Sequence, residues 1–560
     1  MIKKILKILL YTILSLLLVL TIMIAGLYMG ITPKLPSPPP VGKNIYANLI
    51  PAETDSGLFV LHGNWIRQNR YGLWEMYIKG DAFNRGVAAG KLSEKLVRFQ
   101  EKVFIEQINN VVPSKALQRI LLSAIAWMNH KMPDQIADEF KKEIYGISLS
   151  ASEDYNQYGP PYARILNYHA AHDIGHALQS YYLLGCSSFA VWNERSTDST
   201  LLIGRNFDFY FGDDFSRNKI IEFVTPDTGF NFAFITWGGM AGVVSGMNEH
   251  GLTVTINAGT LEIGRKAATP VTLVAREILQ FAGTIDQAVS IASSRNINVS
   301  ETFMIGSADR NEAILVEKKP SVQYLVEPDS SAIICTNHFQ SKILYGEPEN
   351  IENMTDNATG YRFQRMQELV NQKPVLSAAD VASILRDKKG LHDIPIGYGN
   401  EKAINQFIAH HAVIFNPAKR IIWVSTAPNV MGAFMAYDLN EIFAMRDPPQ
   451  KNQSIDRRVL EIPSDNFLNS SYYYDYLDYK NLSDSINLQM NSGKVIQDEL
   501  INRMISDNPE YFKTYMQAGD YYFSQKNYEK AQNNYKLALT KEVNSLSTRE
   551  YIQTQLSNCK

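Results

Sequence analysis

The sequence predicts an α+β fold in which two sheets carry helices on their outer faces. Three observations lead there. The chain has 560 residues, 45% of them hydrophobic, enough for a large core and more than one domain. From residue 186 onward, short alternating apolar runs are separated by Gly, Asn and Asp, the texture of strands and tight turns. Between those runs lie segments whose apolar residues recur every three to four positions, the texture of amphipathic helices. Strands, helices, more strands and further helices suggest stacked sheets with helices outside.

The amino terminus comes first. Lys3, Lys4 and Lys7 precede an uncharged run from Ile8 to Ile31, long enough for the roughly 20 residues that cross a bilayer core. A cleavable signal peptide would have a shorter apolar region and a small-x-small site. Residues 1–31 therefore read as a single-pass signal anchor. Its lysines favour a cytoplasmic amino end and an extracytoplasmic (periplasmic or extracellular) remainder. A Pro-rich linker follows at 32–45. Residues 46–185 read as mainly helical, with helices expected at Ala88–Asn109 and Ser114–Asn129. His172 and His176 have the i, i+4 spacing of metal ligands on a helix face, but no recognised zinc motif supplies a third ligand.

Residues 186–447 carry the strand-rich texture. Strands are expected at Phe230–Trp237, Gly242–Met247 and Leu252–Ile256, with Asn248–Gly251 as the tight turn between the last two. Helices follow at Pro270–Phe281 and Ile285–Arg295, then strands at Thr302–Gly306, Ala313–Glu317, Val322–Val326 and Ala332–Thr336. Further helices near Tyr361–Val370 and Ser377–Leu385 precede closing strands at 411–416 and 420–426. Residues 448–493, rich in Asn, Ser, Asp and Tyr, read as a polar connector. Within 494–560, Tyr515, Ala518, Gly519, Tyr522, Ala531, Tyr535 and Ala538 fall on tetratricopeptide spacing. A single repeat cannot bury its own apolar face, so it must pack on the catalytic region, on neighbouring helices or on a protein partner. The net charge of −3 argues against a nucleic-acid binder. Three cysteines, at 186, 335 and 559, exclude a disulfide framework and leave one bridge open.

Chemistry concentrates at Gly185-Cys186-Ser187-Ser188-Phe189-Ala190 and Gly204-Arg205-Asn206-Phe207-Asp208. The turn-rich segment around Thr197 and Asp198 makes the pair a hairpin, which brings Cys186 close to Asp208. A thiol, a guanidinium and a carboxylate then share one end of a two-stranded unit. Thiolate reactivity depends on such nearby positive charge. A lone Cys before a strand otherwise reads as a small buried hydrophobe. Arg205 and Asp208, three apart, would face opposite sides of a regular strand, so a twist or bulge is expected between them.

The run from Cys186 to about Pro428 resembles the cysteine-type N-terminal-nucleophile (Ntn) hydrolases, in the branch of acyl-CoA:6-aminopenicillanic acid acyltransferase. Choloylglycine hydrolases and penicillin V acylase are more distant relatives. Cys186 matches the family's nucleophile and Arg205-Asn206-Phe207-Asp208 its Arg-Asn-x-Asp signature. Gly246–Leu252 with Asn257-Ala258-Gly259, Cys335-Thr336-Asn337-His338, Tyr361-Arg362-Phe363-Gln364-Arg365 and His410–Pro417 with Trp423-Val424-Ser425 resemble the later blocks in order. Upstream, Gly80–Gly86 with Gly90 resembles the branch's propeptide motif.

The resemblance implies a four-layer αββα sandwich and cleavage between Gly185 and Cys186. The freed amine of Cys186 would act as base, its sulfur attacking an acyl amide or acyl thioester to give a thioester acyl-enzyme. Within that scheme Asn257 would be the oxyanion donor and Asp208 the partner of the new ammonium. Arg205 and Arg362 would stabilise the thiolate, and Asn337 would orient nucleophile or substrate. No metal or other cofactor is required. Transfer and hydrolysis differ only in the acceptor, so a choloylglycine-hydrolase-like enzyme or a lipid amidase stays open. So does a membrane-anchored scaffold that uses the carboxyl-terminal repeat.

Overall fold

In the computed structural model, residues 35–118, 129–173, 185–450 and 453–559 are described, apart from positions 56, 113, 261, 263, 265 and 266. The expected anchor at 1–31, His176 and most of the helix expected at 114–129 lie outside the described residues. Among the described residues no helix is long and apolar enough to cross a membrane.

Two sheets form the centre. The larger runs, in spatial order, β1 (Ala52–Asp55), β2 (Leu58–Leu61), β3 (Asn64–Gln68), β4 (Trp74–Gly80), β7 (Ile220–Pro226), β8 (Phe232–Thr236), β9 (Ser245–Asn248), β10 (Leu252–Ala258), β11 (Glu301–Ser307), β12 (Glu312–Lys318) and β13 (Gln323–Val326). The smaller runs β14 (Ala332–Cys335), β5 (Ser187–Val191), β6 (Leu202–Phe207), β15 (His411–Asn416), β16 (Ile421–Ser425) and β17 (Phe434–Asp438). Gly251 closes the expected tight turn: its φ is 70° and its N–H donates to the Asn248 carbonyl at 2.8 Å.

Alternation along the strands sets the layering. Ala190, Ile203, Val413 and Val424 of the smaller sheet meet Ile221, Phe223, Ile235 and Leu315 of the larger in one buried core. The other face of the larger sheet, with Phe232, Val254 and Ile256, packs on Val274 and Ile278 of helix Val271–Phe281. Phe189, Val191 and Leu202 pack outward on Met366 and Val381, from helices Ala358–Gln372 and Ala378–Leu385. The order is helices, sheet, sheet, helices.

Most described residues of 46–185 are helical, as expected, but the region also holds strands that were not foreseen. Its first part supplies β1 to β4, and β4 pairs parallel with β7, so this region extends the larger sheet. The helix expected at Ala88–Asn109 is two, Ala82–Leu92 and Glu94–Val111, parted at Ser93. Asp81 caps the first by accepting from the Asn84 N–H at 3.1 Å. That helix crosses helix Asp138–Ser148 so closely that a Cβ on Gly86 would stand 2.0 Å from the Glu143 carbonyl oxygen. Buried Glu143 also pairs with Arg85 at 2.6 Å and with Arg276 at 3.0 Å, tying both helices to Val271–Phe281.

The connector reading of 448–493 is also incomplete, because helix Ser471–Asn491 occupies its second half. Its polar, Tyr-rich composition hides an apolar side: Tyr479 and Ile486 join the core of the carboxyl-terminal helices. Helices Phe512–Ser524 and Tyr528–Thr540 pack against each other where Gly519 lies under the Tyr535 ring. The unit also docks on the strand-rich region. Asn508 donates to the Tyr398 carbonyl and accepts from its N–H, Asn400 donates to the Glu542 carbonyl, and Gly397 abuts the Tyr511 backbone.

Candidate active site

Cys186 immediately precedes β5, which pairs antiparallel with β6 so that Ser188 opposes Arg205. The hairpin therefore brings the expected groups to one end. Arg205 Nη2 lies 3.5 Å from Cys186 Sγ, and its Nη1 donates to Ser245 Oγ at 2.6 Å. Ser245 in turn contacts His411 Nε2 at 2.9 Å, and His411 contacts His410. These imidazoles are wholly buried, and burial holds both well below the usual histidine range. They anchor the guanidinium from behind as neutral rings.

The geometric difficulty between Arg205 and Asp208 resolves simply. β6 ends at Phe207, so Asp208 lies beyond the strand and escapes its alternation. Its backbone carbonyl accepts from the Gly185 N–H at 2.9 Å. Both carboxylate oxygens are buried and have no hydrogen-bond partner. Burial raises Asp208 from 3.8 to about 7, with the Arg362 and Arg205 charges opposing the rise.

Burial also pushes the Cys186 thiol up to about 11, against the pull of Arg205. The sulfur is thus a neutral thiol at neutral pH. Arg362, from helix Ala358–Gln372, donates to the carbonyls of Gly185 and Cys186 and to Ser187 Oγ, each at 2.8 Å. Its other Nη donates to Asn337 Oδ1 at 2.9 Å, and Asn337 Nδ2 donates to the Ala258 carbonyl at 3.0 Å. Asn337 therefore orients Arg362.

Asn257 stands at the end of β10. Its Oδ1 accepts from Ser188 Oγ at 2.9 Å, while its Nδ2 is held only loosely, 3.4 Å from the carbonyls of Cys335 and Thr336. Such a weakly engaged donor is free to turn toward another oxygen.

Gly185 is not among the positive-φ glycines, so what its missing side chain permits is close approach. The constraint is space: a Cβ there would stand 2.5 Å from Gln406 Nε2, which donates to the Gly185 carbonyl at 2.9 Å. Gln406, Ser245 and the support role of His411 were not legible in the sequence. Gln406 sits in an irregular loop with no periodicity, and only the fold brings it across to residue 185.

His172 Nδ1 lies 3.7 Å from Glu301, another buried carboxyl that burial raises well above its usual range. Among the described residues no group of three or more His, Cys, Asp or Glu side chains could hold a metal ion. All three cysteines are free, which closes the question of a bridge.

Fold and site together gather a buried thiol, two guanidiniums and a buried carboxyl around one peptide bond. Residues 192–429 match the family described as acyl-coenzyme A:6-aminopenicillanic acid acyl-transferase, a match that begins just past the Cys186 strand. Similar solved structures include a Caenorhabditis elegans N-acylethanolamine-hydrolyzing acid amidase ortholog, 14% identical over 42% of this chain and 93% of its own, with TM-score 0.31. A mutant form of conjugated bile acid hydrolase from Clostridium perfringens is 12% identical over 46% and 93%, with TM-score 0.33. Penicillin V acylase from Agrobacterium tumefaciens is 12% identical over 45% and 91%, with TM-score 0.30. No curated protein matches the chain.

Proposed function

We propose that the chain activates itself by cleavage between Gly185 and Cys186 and then acts as an N-terminal-cysteine acyltransferase or amidohydrolase. The observation that carries this reading is the convergence of Arg205, Arg362 and an unpaired, buried Asp208 on Cys186 and the peptide bond before it. Cleavage frees an α-amine whose ordinary pKa of roughly 7.7–8.0 suits a base at neutral pH. As an ammonium it would meet the Asp208 carboxylate, and as an amine it takes the thiol proton. Sulfur then attacks the carbonyl of an acyl amide or thioester, with Asn257 turning to the oxyanion. The thioester acyl-enzyme yields its acyl group to water or to an acceptor amine.

We further propose that residues 1–31 anchor the chain with its catalytic region outside the cytoplasm, since Lys3, Lys4 and Lys7 precede the apolar run. Tethering favours an amphiphilic acyl substrate by proximity. The carboxyl-terminal helices, whose face is already engaged by the catalytic region, serve first as its support.

The test is the mass of the purified chain together with a panel of acyl amides, run on wild type and Cys186→Ala. Two pieces, the larger beginning at Cys186, and turnover absent from the variant are expected. Turnover unaffected by Cys186→Ala would end the reading. For the anchor, a reporter fused after Lys560 that works only in the cytoplasm should be silent. An active one would refute the orientation.

A further inference from the structure

Gln406 belongs to none of the blocks that mark the catalytic region, yet its side chain reaches the one carbonyl that must be attacked if the chain cuts itself. We propose that Gln406 is a catalytic residue of chain cleavage, forming with Arg362 the oxyanion pocket for the Gly185 carbonyl. The inference rests on the self-cleavage reading above and assigns that step its own donors, separate from Asn257.

Two donors point at the same oxygen, Gln406 Nε2 at 2.9 Å and Arg362 Nη1 at 2.8 Å. Both already hold the ground-state carbonyl oxygen on which the charge would develop. Gln406 and Arg362 are 4% and 3% exposed, so water competes little for either. The amide itself is fixed from the other side, because the Gly185 N–H donates to the Asp208 carbonyl. Glycine is required for this approach, since a Cβ would collide with the Gln406 amide. Asn257 does not touch this oxygen; its Nδ2 lies 3.4 Å from the carbonyls of Cys335 and Thr336. The loop that delivers Gln406 is braced by the carboxyl-terminal helices, through Asn508 on Tyr398 and Glu542 on Asn400 and Lys402.

Cys186 Sγ forms a bond to the Gly185 carbonyl carbon, and the carbonyl electron pair moves onto the oxygen held by Arg362 and Gln406. The pair returns as the bond from Gly185 carbon to Cys186 nitrogen breaks, and the thiol proton passes to that nitrogen. A thioester and a free amine result. Water then adds to the thioester at the same two donors, the carbon–sulfur bond breaks, and sulfur takes a proton from the water. The new carboxylic acid gives its proton to the freed amine, so the products are a Gly185 carboxylate and Cys186 with its own ammonium and thiol.

The test follows cutting of the pulse-labelled full chain over time, in wild type, Gln406→Met and Gly185→Ala. Loss of one oxyanion donor slows such a step by about a hundred- to a thousand-fold, and Gln406→Met should lengthen the half-time of cutting accordingly. Gly185→Ala should also slow it by displacing the amide. If Met disturbs packing, shown by a lowered melting temperature, Gln406→Glu keeps the shape, replaces the donor by an acceptor and carries the same expectation. A wild-type chain that is cut while folded Gln406 variants are cut equally fast would overturn this assignment alone. A wild-type chain that is never cut would overturn both it and the self-cleavage reading.

Discussion

Replacing Asp208 by Asn in an uncut Cys186→Ala chain should change how stability depends on pH, and the sign follows from the site. In the folded chain burial holds Asp208 at about 7, against 3.8 for an ordinary aspartate. Between those values the folded chain keeps a proton that the unfolded chain has lost. Stability contributed by the protonated acid is complete below pH 4, falls as pH rises, and is gone above pH 7. Each unit of pKa corresponds to about 1.36 kcal/mol, so the full loss is on the order of 4 kcal/mol. Asp208 is fully buried, so solvent does not dilute the effect. Burial raises Glu222, to about 8, and Glu301 in the same direction. The informative quantity is therefore the difference between the two chains, not either slope. Urea unfolding from pH 4 to 8 measures it: the curves should coincide near pH 4 and separate toward pH 8, with the Asn chain more stable. Parallel curves would show that Asp208 carries no such burden in the uncut chain. The idea that the site waits for the Cys186 ammonium would then fail.

The remaining predictions concern turnover and assembly. In cut, folded enzyme, Asn257→Ala should lower turnover by about a hundred- to a thousand-fold, read from steady-state rates on an acyl amide. His338→Ala should do much less, because the His338 ring is occupied with the Thr336 and Thr359 hydroxyls and burial holds it at about 4. Full loss of turnover in His338→Ala would point to a Cys–His enzyme instead. Gly86→Ala should destabilise the chain by about 3 kcal/mol or more, since its Cβ would overlap a backbone carbonyl of the neighbouring helix. An unchanged melting temperature would contradict that crossing.

Much of the fold was legible because its strands alternate and its turns carry Gly and Asn. Val271–Phe281 and Ile285–Ser294 show a helical period, and β8 and β10 to β12 read as runs bounded by turn residues. The four strands before residue 81 were not legible. Short runs such as Leu58–Leu61 gain their identity from pairing, above all from the parallel contact of β4 with β7 across more than a hundred residues. Helix Ser471–Asn491 was hidden because tyrosines, not aliphatic residues, supply much of its apolar side. At the site, Cys186, Arg205, Asp208 and Arg362 announced themselves through local motifs. Gln406 and Ser245 did not, because each acts through hydrogen bonds delivered from a distant strand or loop.

The central claim is that Cys186 becomes the first residue of the working enzyme. Mass spectrometry of the intact purified chain, with amino-terminal sequencing of each piece, tests it most directly. Wild type should give two pieces, the larger beginning Cys186-Ser187-Ser188, and Cys186→Ala should give one uncut chain. An uncut wild-type chain that nevertheless shows full Cys186-dependent turnover would contradict the account.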